Sequence, residues 1–284
     1  MPANVELAGT RKMSAKKSKI AVITGATDGM GRVVAPLLAK AGYFVVVHGR
    51  NKTRGKEVVY EITKAGGAVR FIACNLASVD DVRRFAGDLN AEFDHIDVLI
   101  NNAGIGTGPE QAPREASADG FELRFAVNYL APFVLTRLVL EKVKAAAPAR
   151  IINVASAGQE PLDFSNLQLE RGYSGYFAYC RSKVALIMFT LDLAEEVKDA
   201  GVTVNTMHPG AYMDTTMVGE MKHDVVDSVD AGANFVLDLA THPKFDGVTG
   251  RYFDRGVDAR AEEQCYDRGA RRTLRGISNK LAGL

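Results

Sequence analysis

Tyr179 and Lys183 have the spacing that two side chains need for joint proton chemistry. On a helix, residues i and i+4 lie on the same face, so a phenol and an ammonium at these positions can converge. A tyrosine with its ordinary pKa of ~10 is a poor general acid or base at neutral pH. A neighbouring ammonium favours the phenolate and lowers that pKa. By itself, however, the same spacing also fits the solvated face of any helix.

A glycine-rich segment, TGATDGMG at 24–31, has the composition of a phosphate-binding turn. It follows an apolar run and opens a predicted helix, whose free N–H groups and dipole favour an anion. Its spacing is G-x-x-x-G-x-G instead of G-x-G-x-x-G, and an ordinary turn between a strand and a helix is the alternative. The position in the chain favours dinucleotide binding. The residues expected to take part are Gly25, Thr27, Asp28, Gly29, Met30 and Gly31.

Apolar, β-rich runs alternate with longer helical stretches along the whole chain. Strands are predicted at 20–24, 44–48, 69–73, 98–101, 150–154 and 203–207, with a short last one at 250–253. Helices are predicted at 29–41, 52–65, 78–93, 119–146, 175–198 and 224–240, the fourth kinked at Pro132. This alternation indicates parallel strands with helices on both faces of the sheet, an α/β architecture. The charged residues after Asp254 receive no assignment from the pattern.

Six segments in order make the chain resemble the short-chain dehydrogenase/reductase family. They are TGATDGMG (24–31), NNAG (101–104), Asn128 in FAVNYLAPF, Ser156 after INVA, YCRSK (179–183) and HPG (208–210). The resemblance covers about residues 19–255. The sequence around Tyr179 is most similar to the retinol dehydrogenase and WW-domain oxidoreductase-like branch. It implies a single doubly wound Rossmann-type domain with a mostly parallel sheet of six to seven strands. We therefore expect a disordered polar tail at 1–18, this domain at 19–255 and a charged extension at 256–284.

The resemblance implies a catalytic role for four residues in hydride transfer between a nicotinamide and a carbonyl or alcohol. Tyr179 would exchange a proton with the substrate oxygen. Lys183 would lower the pKa of the tyrosine and hold the nicotinamide ribose. Ser156 would hydrogen-bond the substrate oxygen, and Asn128 would hold a water that links Lys183 to solvent. The hydride comes from the cofactor, so the protein supplies a proton, orientation and electrostatics.

The resemblance also places further residues around the cofactor. The NNAG segment would pass under the adenine-side ribose, and the segment after the third strand would contact adenine. The HPG segment would border the nicotinamide, with a threonine on its carboxamide. Besides the glycine-rich turn, Tyr179 and Lys183, the residues concerned are Asn75, Leu76, Asn102, Ala103, Gly104, Pro209, Gly210 and Thr215.

The end of the second strand predicts a preference for NADP(H) over NAD(H). A site for NAD places an acidic residue about 20 positions after the glycine-rich turn, where it binds the ribose 2′-hydroxyl. That position is Gly49 here, and it is followed by Arg50, whose guanidinium can pair with a 2′-phosphate. Asn51 can add a hydrogen bond. Asp28 argues the other way, because many NADP-dependent relatives have a basic residue in the turn.

The composition limits the partners and the compartment. The chain has 35 Lys and Arg against 34 Asp and Glu, and a net charge of +1 offers no general attraction for nucleic acid. No apolar run approaches the ~20 residues that span a bilayer, so no membrane span or anchor is expected. The three cysteines, Cys74, Cys180 and Cys265, are widely spaced, which indicates free thiols in a reducing cytoplasm and no metal site.

A homodimer is implied by the same resemblance, through the helices that hold Asn128 and Tyr179. Four residues of the predicted helix at 175–198 make it more apolar than one core-facing stripe requires. They are Phe177, Val184, Met188 and Leu191. The extra segment Gly158–Gly172 carries apolar side chains beside the expected site and predicts a substrate lid, with simple surface packing as the alternative. It could also cover the helix face and keep the chain monomeric.

Two other functions remain open from the sequence. An epimerase or dehydratase would use the same cofactor transiently, although such enzymes usually have a different glycine spacing and a longer substrate domain. A redox-sensing regulator would bind the cofactor without turnover, although such proteins generally lose the tyrosine or the lysine. We favour an NADP(H)-dependent carbonyl reductase or alcohol dehydrogenase acting on a small apolar substrate.

Overall fold

The architecture is that of one mostly parallel sheet with helices on both faces. A computed structural model describes residues 18–211, 213–214, 219 and 226–284. Within them the strands are β1 Ile20–Ile23, β2 Phe44–Gly49, β3 Ala68–Ala73, β4 Val98–Asn101, β5 Ala149–Val154, β6 Val202–His208, β7 Tyr252–Asp254 and β8 Val257–Ala259. They lie in the order β3-β2-β1-β4-β5-β6-β7-β8. The pairs from β3 to β7 are parallel, and β8 is antiparallel to β7.

The predicted doubly wound α/β fold is confirmed, with one strand more than the six to seven expected. The described helices are α1 Gly29–Lys40, α2 Lys52–Lys64, α3 Val79–Glu92, α4 Leu123–Phe125, α5 Ala131–Ala145, α6 Gly175–Glu196, α7 Val229–Thr241 and α8 Arg268–Ala282. Apolar side chains pack on both faces of the sheet in two clusters, which bury Val22 and Ile23 of β1 on opposite sides. Burial on both faces explains why β1 and β2 are apolar without a two-residue alternation.

The helical region that holds Asn128 is interrupted by a π-helical turn at Ala126–Leu130, between α4 and α5. The N–H of Ala131 bonds the carbonyl of Ala126, five residues earlier. The sequence predicted one helix over 119–146 with a kink at Pro132, and the irregularity lies just before that proline. Pro132 has no N–H, so the carbonyl of Asn128 lacks its usual donor four residues later. Turns of this kind are frequent at functional sites.

The stretch Leu123–Ala145 is long and apolar enough by composition to cross a membrane, and 83% of its apolar window is buried inside the domain. Phe133 and Val139, for example, are no more than 1% exposed. Burial of this extent is typical of a core helix of a soluble domain. The expectation that the chain has no membrane span stays a prediction.

Residues after Asp254, which the sequence pattern left unassigned, form β8, a 3₁₀ turn at Glu263–Tyr266 and α8. Helix α8 packs against α6. Its Ser278 hydroxyl is hydrogen-bonded to the hydroxyl of Tyr129 at 2.5 Å, and Arg271 donates to Glu195 at 2.8 Å. Both Tyr129 and Ser278 are almost fully buried. The end of the chain is therefore packed on the domain by specific polar contacts.

Helix α8 lies over the face that was expected to form a homodimer. Val184, Met188 and Leu191 are at most 6% exposed within one chain, whereas Phe177 is 41% exposed. Met188 lies beside Leu274 of α8. Three of the four apolar residues on α6 are thus buried by packing within one chain. The homodimer stays a prediction, which a solution mass of one or two chains tests.

Candidate active site

A large cleft lies at the carboxyl edge of the parallel strands. Its volume of about 1390 Å³ exceeds the roughly 300–1,000 Å³ of a typical small-ligand pocket, so it has room for a dinucleotide and a substrate together. The predicted residues that line it are Gly25, Thr27, Asp28, Gly29, Met30, Arg50, Asn51, Asn75, Leu76, Asn102, Ala103, Gly104, Ser156, Tyr179, Lys183, Pro209 and Gly210. Gly31 and Asn128 lie behind its wall, and Thr215 lies outside the described residues.

The glycine-rich turn packs closely on the segment that follows β4. Gly25 has a φ of +65°, and a Cβ added there would lie 2.8 Å from the Cα of Ala103. A Cβ at Gly31 would overlap the carbonyl of Gly25. The side-chain amide of Asn102 donates to the carbonyl of Thr24 at 2.8 Å and to that of Gly25 at 3.1 Å. Glycine is therefore required at these two positions by the space available.

His48, at the end of β2, holds the same turn from the other side. Its Nδ1 accepts from the N–H of Gly25 at 3.1 Å, and its Nε2 lies 3.1 Å from the carbonyl of Cys74. These partners require the tautomer with hydrogen on Nε2. Burial lowers the pKa of His48 to about 4, so the ring is neutral near pH 7. His48 thus connects β1, β2 and β3 at the point where the phosphate-binding turn begins.

Asp28 is already bound to two partners in the turn. One carboxylate oxygen accepts from the N–H of Gly29 at 2.8 Å and caps α1, and the other lies 2.7 Å from Arg54 Nη1.

Asn51 caps α2, because its side-chain oxygen accepts from the N–H groups of Thr53 and Arg54 at 3.0 and 3.1 Å. Arg54 lines the cleft but was missed by the sequence reasoning. The strand order could have indicated Arg54. Because β1 and β2 are adjacent and parallel, the helices that follow them, α1 and α2, begin side by side, which brings Arg54 near Asp28.

Asn128 lies behind Gly104, next to Lys183. Its side-chain oxygen accepts from the N–H of Ile105 at 2.8 Å, and its amide nitrogen donates to the carbonyl of Ile105 and to the hydroxyl of Ser182, both at 3.0 Å. A Cβ at Gly104 would lie 3.3 Å from both Asn128 Oδ1 and Lys183 Nζ. Because the side-chain amide is occupied, any water held by Asn128 would bind its main-chain carbonyl, which Pro132 leaves without the usual donor.

Ser156 and Tyr179 meet at the substrate side of the cleft. The Ser156 hydroxyl accepts from the N–H of Gly158 at 3.0 Å and is hydrogen-bonded to the Tyr179 phenol. Burial raises the pKa of Tyr179, and the hydrogen bond with Ser156 opposes that rise. A protonated phenol and a hydroxyl side by side are suited to hold one oxygen atom of a substrate.

Lys183 is buried between α6 and β5, and its ammonium donates to the carbonyl of Val154 at 2.9 Å. Burial lowers its pKa to about 8. Its Nζ lies 5.7 Å from the ring centroid of Tyr179. Burial dominates the pKa of Tyr179, and the ammonium of Lys183 is directed to the main chain. That Lys183 lowers the pKa of the phenol stays a prediction.

The segment 158–172 packs on the domain instead of forming a flap. Leu162 and Leu169 are at most 5% exposed, and Phe164 packs against the core. Within the segment, Gly158 alone lines the cleft. The far end is tied to the loop after β4, since Gln168 accepts from the N–H of Glu122 at 2.8 Å. These contacts favour the surface-packing alternative over a lid.

The chain is similar in sequence to known dehydrogenases. A short chain dehydrogenase family model matches residues 19–225. Retinol dehydrogenase 11 of Mus musculus is 41% identical over 196 residues, which are 68% of this chain and 61% of that protein. Retinol dehydrogenase 13 of Homo sapiens is 32% identical over 285 residues, covering 94% of this chain and 85% of that protein. The chain thus spans about three fifths of the first relative and most of the second.

Solved structures with a bound nicotinamide cofactor have the same fold. The Pseudomonas aeruginosa RhlG/NADP active-site complex has a TM-score of 0.68 at 25% identity, with 83% of this chain and 94% of that chain covered. The 3-ketoacyl-(acyl-carrier-protein) reductase of Brucella melitensis complexed with NADH has a TM-score of 0.67 at 25% identity, with 84% and 98% covered. The chain therefore belongs to the short-chain dehydrogenase family, in its retinol dehydrogenase-like branch, and is an NAD(P)-dependent oxidoreductase.

Proposed function

We propose that the protein is an NADP(H)-dependent carbonyl reductase or alcohol dehydrogenase with Tyr179 as its general acid and base. The observation that carries the proposal is the convergence of Ser156, Tyr179 and Lys183 in the cleft that also contains the glycine-rich turn. The relatives named retinol dehydrogenases support an apolar alcohol or aldehyde as the substrate class. The three cysteines are buried and unpaired, which supports the proposed cytoplasmic location.

The described residues fit a dinucleotide. The glycine-rich turn and the first residues of α1 line the cleft wall, where the positive end of the helix dipole would favour a pyrophosphate. Asn75 and Leu76, after β3, line the cleft where adenine would lie, and Pro209 and Gly210, after β6, line it where nicotinamide would lie. Bound nicotinamide would supply or accept the hydride.

The protein residues would handle the proton and the orientation of the substrate. In reduction, the phenol of Tyr179 gives its proton to the carbonyl oxygen, while the hydroxyl of Ser156 donates a hydrogen bond to the same oxygen. The ammonium of Lys183 stabilises the phenolate that remains and orients the ribose. The proton returns to Tyr179 through Lys183 and a water on the main-chain carbonyl of Asn128. Oxidation of an alcohol reverses these steps.

Turnover distinguishes this proposal from the two alternatives. We expect absorbance of the reduced nicotinamide to change when the protein is mixed with apolar aldehydes, ketones or alcohols. Product formation without net change in the cofactor would indicate an epimerase or dehydratase. Cofactor binding without any turnover across the panel would indicate a regulator and contradict the proposal.

Arg50 is the residue that we propose selects NADP(H). It is exposed at the end of β2, lines the cleft and follows the uncharged Gly49. Arg50→Ala is expected to lose about 1.5–3 kcal/mol of transition-state binding with NADP(H), the scale of a charge-assisted hydrogen bond. The measurement is kcat/KM with both cofactors. A wild type that favours NAD(H), or an equal loss with both cofactors, would contradict the assignment.

Arg54 supports the same preference by neutralising Asp28. The ion pair between them, at 2.7 Å, removes the carboxylate repulsion that Asp28 would exert on a 2′-phosphate. Arg54→Ala is expected to raise the KM for NADP(H) several-fold with little change for NAD(H). The double variant Asp28→Asn/Arg54→Ala should recover part of the loss, because the repelling charge is gone. If the double variant binds NADP(H) no better than Arg54→Ala, electrostatic repulsion by Asp28 is not the cause.

A further inference from the structure

The main chain of Ser156 is held from two sides of the domain. Its carbonyl accepts from the hydroxyl of Tyr252 on β7 at 3.2 Å and from the side-chain amide of Gln159 at 2.9 Å. Ser156 follows the end of β5, where the ladder with β6 has stopped, so these bonds replace the strand pairing that held the residues before it. The orientation of its hydroxyl depends on how firmly this short segment is fixed.

Gln159 is in turn held by the C-terminal segment. Its side-chain oxygen accepts from the N–H of Glu262 at 2.6 Å, so one amide connects Glu262 to Ser156. Two residues further along, Gln264 binds both main-chain groups of Leu162. Its side-chain oxygen accepts from the Leu162 N–H at 2.7 Å, and its amide nitrogen donates to the Leu162 carbonyl at 3.0 Å.

These contacts continue into the core. Leu162 is 5% exposed, and Cys265, the residue after Gln264, is fully buried. Gln159 and Gln264 are half-buried, where competition from water is reduced and such hydrogen bonds gain strength. The segment 262–264 lies beyond residue 225, at which the family match ends. The hydrogen bonds of Glu262 to Gln159 and of Gln264 to Leu162 therefore come from a part of the chain outside that match.

We infer that Gln159 and Gln264 are positioning residues, through which the C-terminal segment 262–264 fixes Ser156 in its catalytic orientation. The inference rests on the proposed role of Ser156. Gln159 acts directly on the Ser156 carbonyl, and Gln264 acts one step away by fixing the chain at Leu162. Misplacement of a catalytic group lowers the rate of the chemical step and leaves the cofactor site, on the other side of the cleft, unchanged.

The test compares Gln159→Met and Gln264→Met with Glu263→Gln. Methionine is close to glutamine in shape but makes none of these hydrogen bonds. Glu263 is an exposed neighbour paired with Arg260, so its variant controls for a change in the 3₁₀ turn. We expect kcat to fall about five- to tenfold in Gln159→Met and less in Gln264→Met, the scale of one hydrogen bond. The KM for NADP(H) should stay within twofold, and Glu263→Gln should match the wild type.

Three results would overturn the inference: unchanged kcat in both methionine variants, a loss shared by Glu263→Gln, or a fall in kcat matched by weaker cofactor binding. If Gln159→Met does not yield folded protein, Gln264→Met decides by the same criteria. Ser156→Ala separates this inference from the proposed function. Slow turnover by Ser156→Ala with normal methionine variants would contradict the positioning role alone, whereas normal turnover by Ser156→Ala would contradict the role of the serine itself.

Discussion

Tyr179→Phe is expected to lower kcat at least ~100-fold, the effect of losing a general acid, while cofactor affinity stays within a few-fold. The ring keeps its packing, and only the hydroxyl bonded to Ser156 is removed. The measurements are kcat under saturating substrate and the Kd of NADP(H) by fluorescence titration. Retention of more than a tenth of wild-type turnover would reject Tyr179 as the proton donor.

Tyr176→Phe is the matched control for this variant. Tyr176 lies one turn earlier on α6, also lines the cleft and is 53% exposed. Loss of its hydroxyl removes a polar group near the cleft mouth without touching Ser156. We expect a change of less than about threefold in kcat. A comparable loss in both variants would indicate a general disturbance of α6.

Lys183→Met is expected to reduce both turnover and cofactor affinity, because the ammonium serves the phenol and the ribose together. A loss of at least ~100-fold in kcat/KM is anticipated from the removal of a charge in a buried site. A fall in kcat with unchanged cofactor Kd would show that Lys183 does not hold the ribose.

The same variant has a predicted effect on the stability of the cofactor-free protein. The pKa of Lys183 is lowered by burial to about 8 from an ordinary value of 10.5. The unfolded chain therefore keeps its proton between about pH 8 and 10.5, where the folded protein has released it, and stability from this group rises with pH across that window. Below about pH 8 both states are protonated, and the cost of burying the ammonium is fully present.

Lys183→Met removes this cost, so its Tm at pH 7 should equal or exceed that of the wild type. The difference in Tm between the two proteins should shrink as the pH rises from 8 towards 10.5. Taking the difference cancels the opposite contribution of the buried thiols, whose pKa values are raised by burial. A variant that is less stable than the wild type at pH 7 would show that the Val154 contact outweighs the burial of charge.

The parts of the fold that depend on local pattern could be predicted from the sequence. Strand β4 was predicted at its observed bounds, and α1 and α2 were predicted to within one residue. The signals for them, apolar runs and glycines at the ends of helices, are local in the sequence. The clustering of Ser156, Tyr179 and Lys183 followed from the order of the family motifs. Those motifs report on residues that surround the cofactor, and these are the ones that the structure brings to one cleft.

Contacts between distant segments could not be predicted in this way. Proline at 132 signalled a kink, but a proline pattern does not tell a kink from a π-helical turn. The pairing of Arg54 with Asp28 depends on strand order, and the bonds of Gln264 to Leu162 connect residues about a hundred positions apart. The apolar side chains of segment 158–172 predicted a substrate lid, whereas Leu162 and Leu169 are buried in the domain. Sequence alone does not distinguish an apolar loop residue that faces a ligand from one that faces the core.

The packing of α8 on α6 also affects the order in which the molecule can be completed during synthesis. Residues 268–282 leave the ribosome after every described strand of the sheet, so the surface around Tyr129 and Met188 stays exposed to solvent until α8 has been made and packed. The sheet of a nascent chain can therefore form while this apolar helix face is still uncovered. That stage is where chaperones would bind, and where premature termination would leave a product prone to aggregation.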